Sequence, residues 1–451
     1  MKHPRRSALL GLLLVPATGL ALVPPASASP GPWPGPFPGP FSGPGRFVEE
    51  APFAVSGEVA EILAATPDGR TVVYTDSGAG EVGFVDVSRP RALRELGTVQ
   101  LEGEPTSVAV TPDGAYALAV VDTTDGDFAH PSGYLAVLSV AGRGVVRTLD
   151  LGGQPDSISI APDGSVAGVA LEDQRDEELV VDGVEGGLPQ LPAGSLAAVD
   201  LSGGPADWSV STVDLTGLPG ARFPEDPEPE FVDVNADGTA AVTLQENNAV
   251  ALVDLHRGTV VGSFSAGTVH RTDADLTDDG VASFTEDLTA PREPDGVQWT
   301  AGGNLVTANE GDLAAEPSGG RGWTVFSPTG GVLWDAGASA EQALADAGRY
   351  PDGRSDDKGA EFEGAEVAAF GGLSLGRHRF REPTPYAFIG SERGDAVLVY
   401  DLTDELAPRL TQVLPTGEAP EGVLALPQSD LLLTSDEDAG TLSVFRFTRG
   451  R

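Results

Sequence analysis

A four-residue turn that keeps returning constrains this chain more than any other feature. Thr66-Pro67-Asp68-Gly69 recurs as Thr111-Pro112-Asp113-Gly114 and Ala161-Pro162-Asp163-Gly164, then in weaker form as Asn235-Ala236-Asp237-Gly238 and Thr300-Ala301-Gly302-Gly303. Pro at the second position presets φ and Gly at the fourth accepts a positive φ, so each copy predicts a hairpin between paired strands. Alternating apolar runs precede the turns at 107–110, 157–160 and 231–234, and follow them at 72–75, 117–121, 240–244 and 305–308. A third run recurs at 84–87, 135–140, 196–201, 250–255 and 397–402. Repetition of this kind marks a ring or solenoid built from one small unit.

Seven such units begin near residues 59, 105, 155, 229, 294, 362 and 420, and the last holds only three strands before the chain ends. An orphan strand at 47–55 stands at the front. A row of stacked sheets leaves open edges that invite aggregation, and a closed ring removes them. The predicted fold is therefore all-β: a seven-bladed β-propeller of four-stranded antiparallel blades, shut by the N-terminal strand pairing into the last blade. Six or eight blades stay open, because the fifth and sixth units are the least regular. The abundance of breakers, 59 Gly and 37 Pro in 451 residues, agrees with many short strands and disfavours a helical bundle.

Ahead of the ring, Lys2, Arg5 and Arg6, the apolar run 8–23 and Ala26-Ser27-Ala28 predict a signal peptide over 1–28. Arg5-Arg6 leaves general secretion and twin-arginine export both open. Residues 29–45 read as a Pro/Gly-rich linker, in which Trp33, Phe37 and Phe41 form either a recognition tag or a covering for the domain's flank. The propeller takes 46–451. The expectation is a secreted, extracellular monomer with no inserted membrane segment. With 68 acidic and 27 basic residues the net charge is −41, which repels nucleic acid and anionic membrane surfaces. The absence of cysteine excludes disulfides, thiolate metal sites and a Cys nucleophile.

The long segments 122–132, 173–194, 216–228, 266–293, 311–322 and 337–360 all fall between second and third strands or between blades, which places them over one face as a cap. Residues 338–348 have the spacing of a short helix. On that face the second strands end in Asp76, Asp122, Glu172, Glu246, Glu310, Glu392 and Asp436. The inner strands begin with Asp156, Glu230, Asp295, Glu363 and Glu421, with Thr106 and Ala60 in the other two units. Converging carboxylates repel, so they must be protonated, paired or bridged by a cation. An oxygen-only donor set points to a divalent cation, Ca²⁺ ahead of Mg²⁺, with Glu230, Glu246, Asp295, Glu310, Glu363, Glu392 and Glu421 as candidate ligands. The alternative is that the acids accept backbone hydrogen bonds or pair with Arg175, Arg271, Arg292, Arg354, Lys358 and Arg393. His270, Arg271, Arg354 and Lys358 are candidate ligand contacts from the cap. Residues 233–238 copy half an EF-hand loop but lack its terminal Glu, and residues 372–376 match a nucleophile-elbow pattern without the strand-to-helix context.

The runs Gln245-Glu246-Asn247-Asn248, Pro294-Asp295-Gly296, Asn309-Glu310-Gly311-Asp312, Arg354-Ser355-Asp356-Asp357-Lys358-Gly359 and Gly390-Ser391-Glu392-Arg393 resemble the choice-of-anchor I family of secreted bacterial propellers. The likeness spans roughly 50–450 and is sharpest from 229 to 440. It implies an extracellular or surface propeller. Ala360-Glu361-Phe362-Glu363-Gly364 departs from the Pro-Glu-Pro-Glu-Gly usual in the family. The chain is also distantly similar to esterase-like phytase and lactonase propellers, whose acidic mouths hold a metal. Two functions follow: an extracellular binding or scaffold module whose acidic mouth takes a cation and an unidentified small-molecule or protein ligand, or a divalent-metal-dependent phosphoester hydrolase or lactonase-type hydrolase. No catalytic residue is assigned.

Overall fold

The computed structural model describes residues 45–450, apart from 58, 177–178, 312–318 and 376–377. The expected signal peptide and nearly all of the linker lie outside the described residues, as do Asp312 and Gly376. Seven antiparallel blades follow one another along the chain, six of four strands and a seventh in which the short strand Phe53–Ala54 also joins the outer edge. Their innermost strands are Leu63–Ala65, Glu104–Val110, Pro155–Ile160, Pro229–Val234, Val297–Trp299, Ala365–Phe370 and Pro420–Leu426. The fifth and sixth units, irregular as sequence, are complete blades.

The recurring turn works as its residues predict. Thr66 Oγ1 donates to Asp68 Oδ1 (2.7 Å), which also accepts from Arg70 N (3.1 Å), while Gly69 sits at φ +63°. Thr111, Asp113 and Gly114 repeat the arrangement in blade two. Asn235 takes over as the acceptor in blade four, receiving Asp237 N at 2.9 Å.

Packing shows closure most directly. Seven apolar clusters each join two successive blades, including one between blade seven (Leu426, Leu431, Leu433) and blade one (Leu63, Val72, Tyr74). The middle strands are buried on both sides because every sheet is sandwiched between two others, as in Leu431–Asp436, where all six residues are buried. The strand Arg46–Glu49 pairs with Thr441–Thr448 as the outer strand of blade seven, so the first described strand closes the ring. Phe47, 2% exposed, packs edge-on against Phe370, Tyr386 and Phe388. Gln412 of blade six clasps the same residue, accepting from Phe47 N (2.7 Å) and donating to Phe47 O (3.0 Å). Arg46 lies opposite Thr448, and Phe447 N donates to Asp430 O (2.8 Å) in the hairpin between the first two strands. Both described ends thus sit on the hairpin face, away from the cap.

The cap is more ordered than a set of loops. Residues Thr268–Ala274 and Glu286–Pro291 pair as a hairpin, and Ser339–Asp346 forms the expected helix. Arg321, 1% exposed, fastens these pieces together by donating to the carbonyls of Asp275 (2.6 Å), Ser355 (2.8 Å) and Asp357 (2.6 Å). The fully buried Glu341 of the helix lies beside it; burial pushes this carboxyl up against the pull of Arg321 and Arg271.

Candidate functional site

Each inner strand enters the ring just after a Pro, Ala or Phe, and the next residue faces the axis. In blades two, three, four and seven the pairing register slips at this point, between Pro105 and Ser107, Pro155 and Ile158, Pro229 and Val232, and Pro420 and Val423. Such an irregularity frees one side chain from the ladder and re-aims it. The freed residues are Thr106, Asp156, Glu230 and Glu421. At two junctions the backbone of this residue accepts from the residue after its counterpart in the preceding blade: Gly296 N to Glu363 O (3.0 Å) and Gly422 N to Glu61 O (3.1 Å).

That last bond corrects the expected register in blade one. Glu61, not Ala60, holds the axial position, so six of the seven blades place a carboxylate there and blade two places Thr106. Aligning Ala60-Glu61-Ile62 with Pro229-Glu230-Phe231 would have found it. The rim also differs in two blades. Asp76 and Asp436 are fully buried within their own blades, Asp76 Oδ1 accepting from Ala79 N (2.8 Å) and Asp436 from Thr434, Thr441 and Ser443 (2.7–2.8 Å). Glu437 stands at the mouth in place of Asp436, close enough to raise both Glu61 and Glu421.

The seven candidate ligands come together in one electrostatic network. Burial, then Glu246, Asp295, Glu172 and Asp156, hold Glu230 well above the usual carboxylate range. Asp295 is raised by burial and by Glu310, Asp156 and Glu246, and Glu363 by burial and by Glu392, Glu310, Glu421 and Asp295. Glu421 feels burial first and then Glu61, Glu437 and Glu392. Glu392 is pushed up to about 7 by burial, against the pull of Arg393. Asp156, from blade three, raises groups in blades four, five and seven, which only convergence on the axis allows.

Two triads of carboxylates stand out, and Glu310 belongs to both. Oxygens of Asp295, Glu310 and Glu363 lie within 4.8 Å of one another, as do those of Glu310, Glu361 and Glu392. In the first triad Asp295 is 7% exposed, and Glu363 Oε2 is buried with no hydrogen-bond partner among the described residues. No ion pair reaches Asp295 or Glu363 among those residues. The second triad is crowded with cations. Lys358 Nζ contacts Glu310 Oε1 and lies 3.5 Å from Glu361 Oε2. Arg354 meets Glu361 Oε1 at 2.7 Å, and Arg393 meets Glu392 at 3.0 Å and Glu361 at 3.5 Å. Glu361 escaped the sequence reading, although Arg354 and Lys358 at spacings of seven and three before it point to a shared acidic partner.

The turn Gln245-Glu246-Asn247-Asn248 shows why a mouth of this kind needs those residues together. Gln245 Nε2 donates to Glu310 Oε2 (2.7 Å), orienting the shared carboxylate. Asn247 Nδ2 donates to the carbonyls of Arg222 (2.8 Å) and Asp226 (2.9 Å), and Asn248 Oδ1 accepts from Glu293 N (3.0 Å). One turn thus anchors an acid and the two cap segments beside it. Of the cap candidates, Arg354 and Lys358 reach the mouth. Arg271 is engaged elsewhere, donating to Gly320 O (2.6 Å), and His270 is exposed on the cap hairpin with Nδ1 3.1 Å from Thr289 Oγ1.

No curated protein matches the chain. Among solved structures it is similar to hydrazine synthase of Kuenenia stuttgartiensis, with a TM-score of 0.52 at 16% identity, covering 88% of this chain and 98% of that one. It is similar to the RRP9 WD40 repeats with a TM-score of 0.55 at 8% identity, covering 88% of this chain and 97% of that one. It is also similar to the Cps50 (Swd1) β-propeller domain of Myceliophteria thermophila, with a TM-score of 0.54 at 10% identity, covering 90% of this chain and 100% of that one. At these identities the likeness shows the propeller fold alone. The choice-of-anchor I domain matches residues 61–318 and 314–405, most of the ring short of blade seven, and the chain belongs to that family.

Proposed function

We propose that this propeller is an extracellular binding module whose acidic mouth holds a divalent cation, Ca²⁺ ahead of Mg²⁺, on Asp295, Glu310 and Glu363. One observation carries the reading: the triad of oxygens within 4.8 Å includes Asp295, 7% exposed, and a buried Glu363 oxygen with no hydrogen-bond partner among the described residues. Burying carboxylates this close together costs several kcal/mol unless a positive charge arrives. A hard cation with flexible oxygen coordination suits donors contributed by separate blades, which is the preference of Ca²⁺. The remaining acids, Glu230, Glu246, Glu392 and Glu421, surround that ion and would select a ligand carrying further positive charge or coordinating the metal directly. Secretion rests on the N-terminal pattern and on the family.

The hydrolase reading is weaker on a specific ground. A phosphoester needs cationic side chains free to receive it, and Arg271, Arg354 and Lys358 are already committed to carbonyls or carboxylates. Calorimetric titration of the full chain with CaCl₂ tests the proposal. Saturable binding is expected, with a rise in melting temperature that grows with calcium; occupancy at a hundredfold excess over Kd stabilises by about 2.7 kcal/mol. Glu363→Gln should weaken calcium at least tenfold while raising the melting temperature of the metal-free protein, because the amide avoids the cost of burying an ionisable carboxyl among other acids. Absence of both heat and thermal shift would sink the proposal. Chelator-sensitive turnover of a chromogenic phosphate ester would promote the hydrolase instead.

A further inference from the structure

The chain contains 25 Arg but only two Lys, Lys2 and Lys358, so the propeller itself has a single lysine. It sits at 9% exposure in the second triad, touching Glu310 and 3.5 Å from Glu361. Apart from histidines, every other basic residue in the ring is an arginine, whose planar fork suits paired, in-plane acceptors. An ammonium is different: a compact charge with three donors pointing in three directions, the nearest thing in the amino-acid alphabet to a bare ion. The two triads share Glu310, so they compete for the same carboxylate. One of them has its cation supplied by the protein, with Arg354 and Arg393 completing the neutralisation. The other has none.

Resting on the cation-binding reading of the mouth, we infer that Lys358 is the built-in cation of the Glu310–Glu361–Glu392 triad and limits the mouth to one divalent ion. The cap segment that carries Lys358 is fixed at both sides. Arg354 Nε donates to Glu361 Oε1 (2.7 Å), and Arg321 holds the carbonyls of Ser355 and Asp357. The ammonium is therefore delivered by a braced loop rather than by a free surface side chain. Its presence 3.5 Å from Glu361 and against Glu310 makes a second divalent ion there electrostatically prohibitive. It also occupies one oxygen of Glu310, so that the ion in the first triad faces two carboxylates outside any ion pair among the described residues, Asp295 and Glu363, and one shared with Lys358.

The test counts bound calcium on the full chain by titration calorimetry and by elemental analysis after gel filtration. Wild type should bind one equivalent, Lys358→Met two, and the double variant Lys358→Met/Glu392→Gln one. One equivalent in both wild type and Lys358→Met overturns the inference and leaves the mouth reading standing. None in wild type with one in Lys358→Met overturns the mouth reading for the native protein and supports the role of Lys358. Two in wild type, or none in either, overturns the inference. A second measurement uses the native protein and so survives a variant that fails to fold: amine acetylation followed by mass spectrometry, in which Lys358 should react at least tenfold more slowly than the α-amino group. Saturating calcium should leave that rate unchanged. Faster acetylation in calcium would mean that the ion evicts the ammonium, which overturns the inference.

Discussion

Below the ring of axial acids, Glu366 and Asp233 show how much a single side chain in this channel is shaped by its surroundings. Burial first, and then the Asp233 carboxylate, push Glu366 up to about 8, even though its Oε1 accepts from Ala425 N at 3.4 Å. Asp233 is also raised by burial, offset by Trp299 N (2.8 Å) and Ser159 Oγ (3.3 Å). The folded protein therefore retains a proton on Glu366 that the unfolded chain sheds above its ordinary value. The stability from that proton is complete below about pH 4.5 and is lost as pH rises through about 8. Glu366→Gln mimics the protonated form at every pH. By scanning calorimetry the variant and wild type should melt together near pH 4.5, and the variant should melt higher by roughly 3 °C at pH 9. Parallel melting curves across that range would refute the argument.

At the scale of elements, the ring is shut by two short N-terminal strands on the last one, Arg46–Glu49 and Phe53–Ala54. Arg46–Glu49 is short, yet it carries Phe47 into a cage of four aromatic rings at centroid distances of 5.0 to 5.9 Å. Gln412 imitates a neighbouring strand with its side-chain amide, linking blade six to the closing strand. Phe47→Ala should cost about 3–5 kcal/mol, as a buried aromatic truncated in a tight core does, and denaturant unfolding will measure it. A loss under about 1 kcal/mol would mean that closure relies on the backbone ladder alone. The cap hairpin Thr268–Ala274/Glu286–Pro291 is the longest of three paired elements that the sequence pattern does not predict. Its strands alternate poorly, and the acidic stretch between them reads as a solvated turn; pairing becomes evident only once Val269, Leu288 and Ala290 pack together.

For the whole molecule, the blade count and the face carrying the acids were legible because the same turn chemistry, flanked by the same apolar runs, recurs in five of the seven units. The fifth and sixth blades blurred that count for physical reasons. Blade five's hairpin turn has degenerated to Thr300-Ala301-Gly302-Gly303, and in blade six a paired extension, Leu373–Leu375 with His378–Arg381, lengthens the connection between its first two strands. Which acids share an oxygen cluster was not legible, because Asp295, Glu310 and Glu363 come from two blades and meet only through the ring's curvature. The same holds for the counter-ions, since Lys358 reaches Glu310 across 48 residues. The charge of −41 adds a long-range term. Metal-free protein should melt several degrees higher in 0.5 M NaCl than in 10 mM, because screening relaxes the converging carboxylates, and saturating calcium should shrink that increment. A melting temperature indifferent to salt would show that the mouth is already neutralised by protons and internal pairs.

The pairing of Arg46 with Thr448 beside the Asp430 hairpin turn gives the disc a back and a front. A peptide, tag or neighbouring domain joined at either of those residues would hold the molecule from behind, as a stem holds a cup. Immobilised through either one, the protein presents its open, acid-lined side to the surrounding solution.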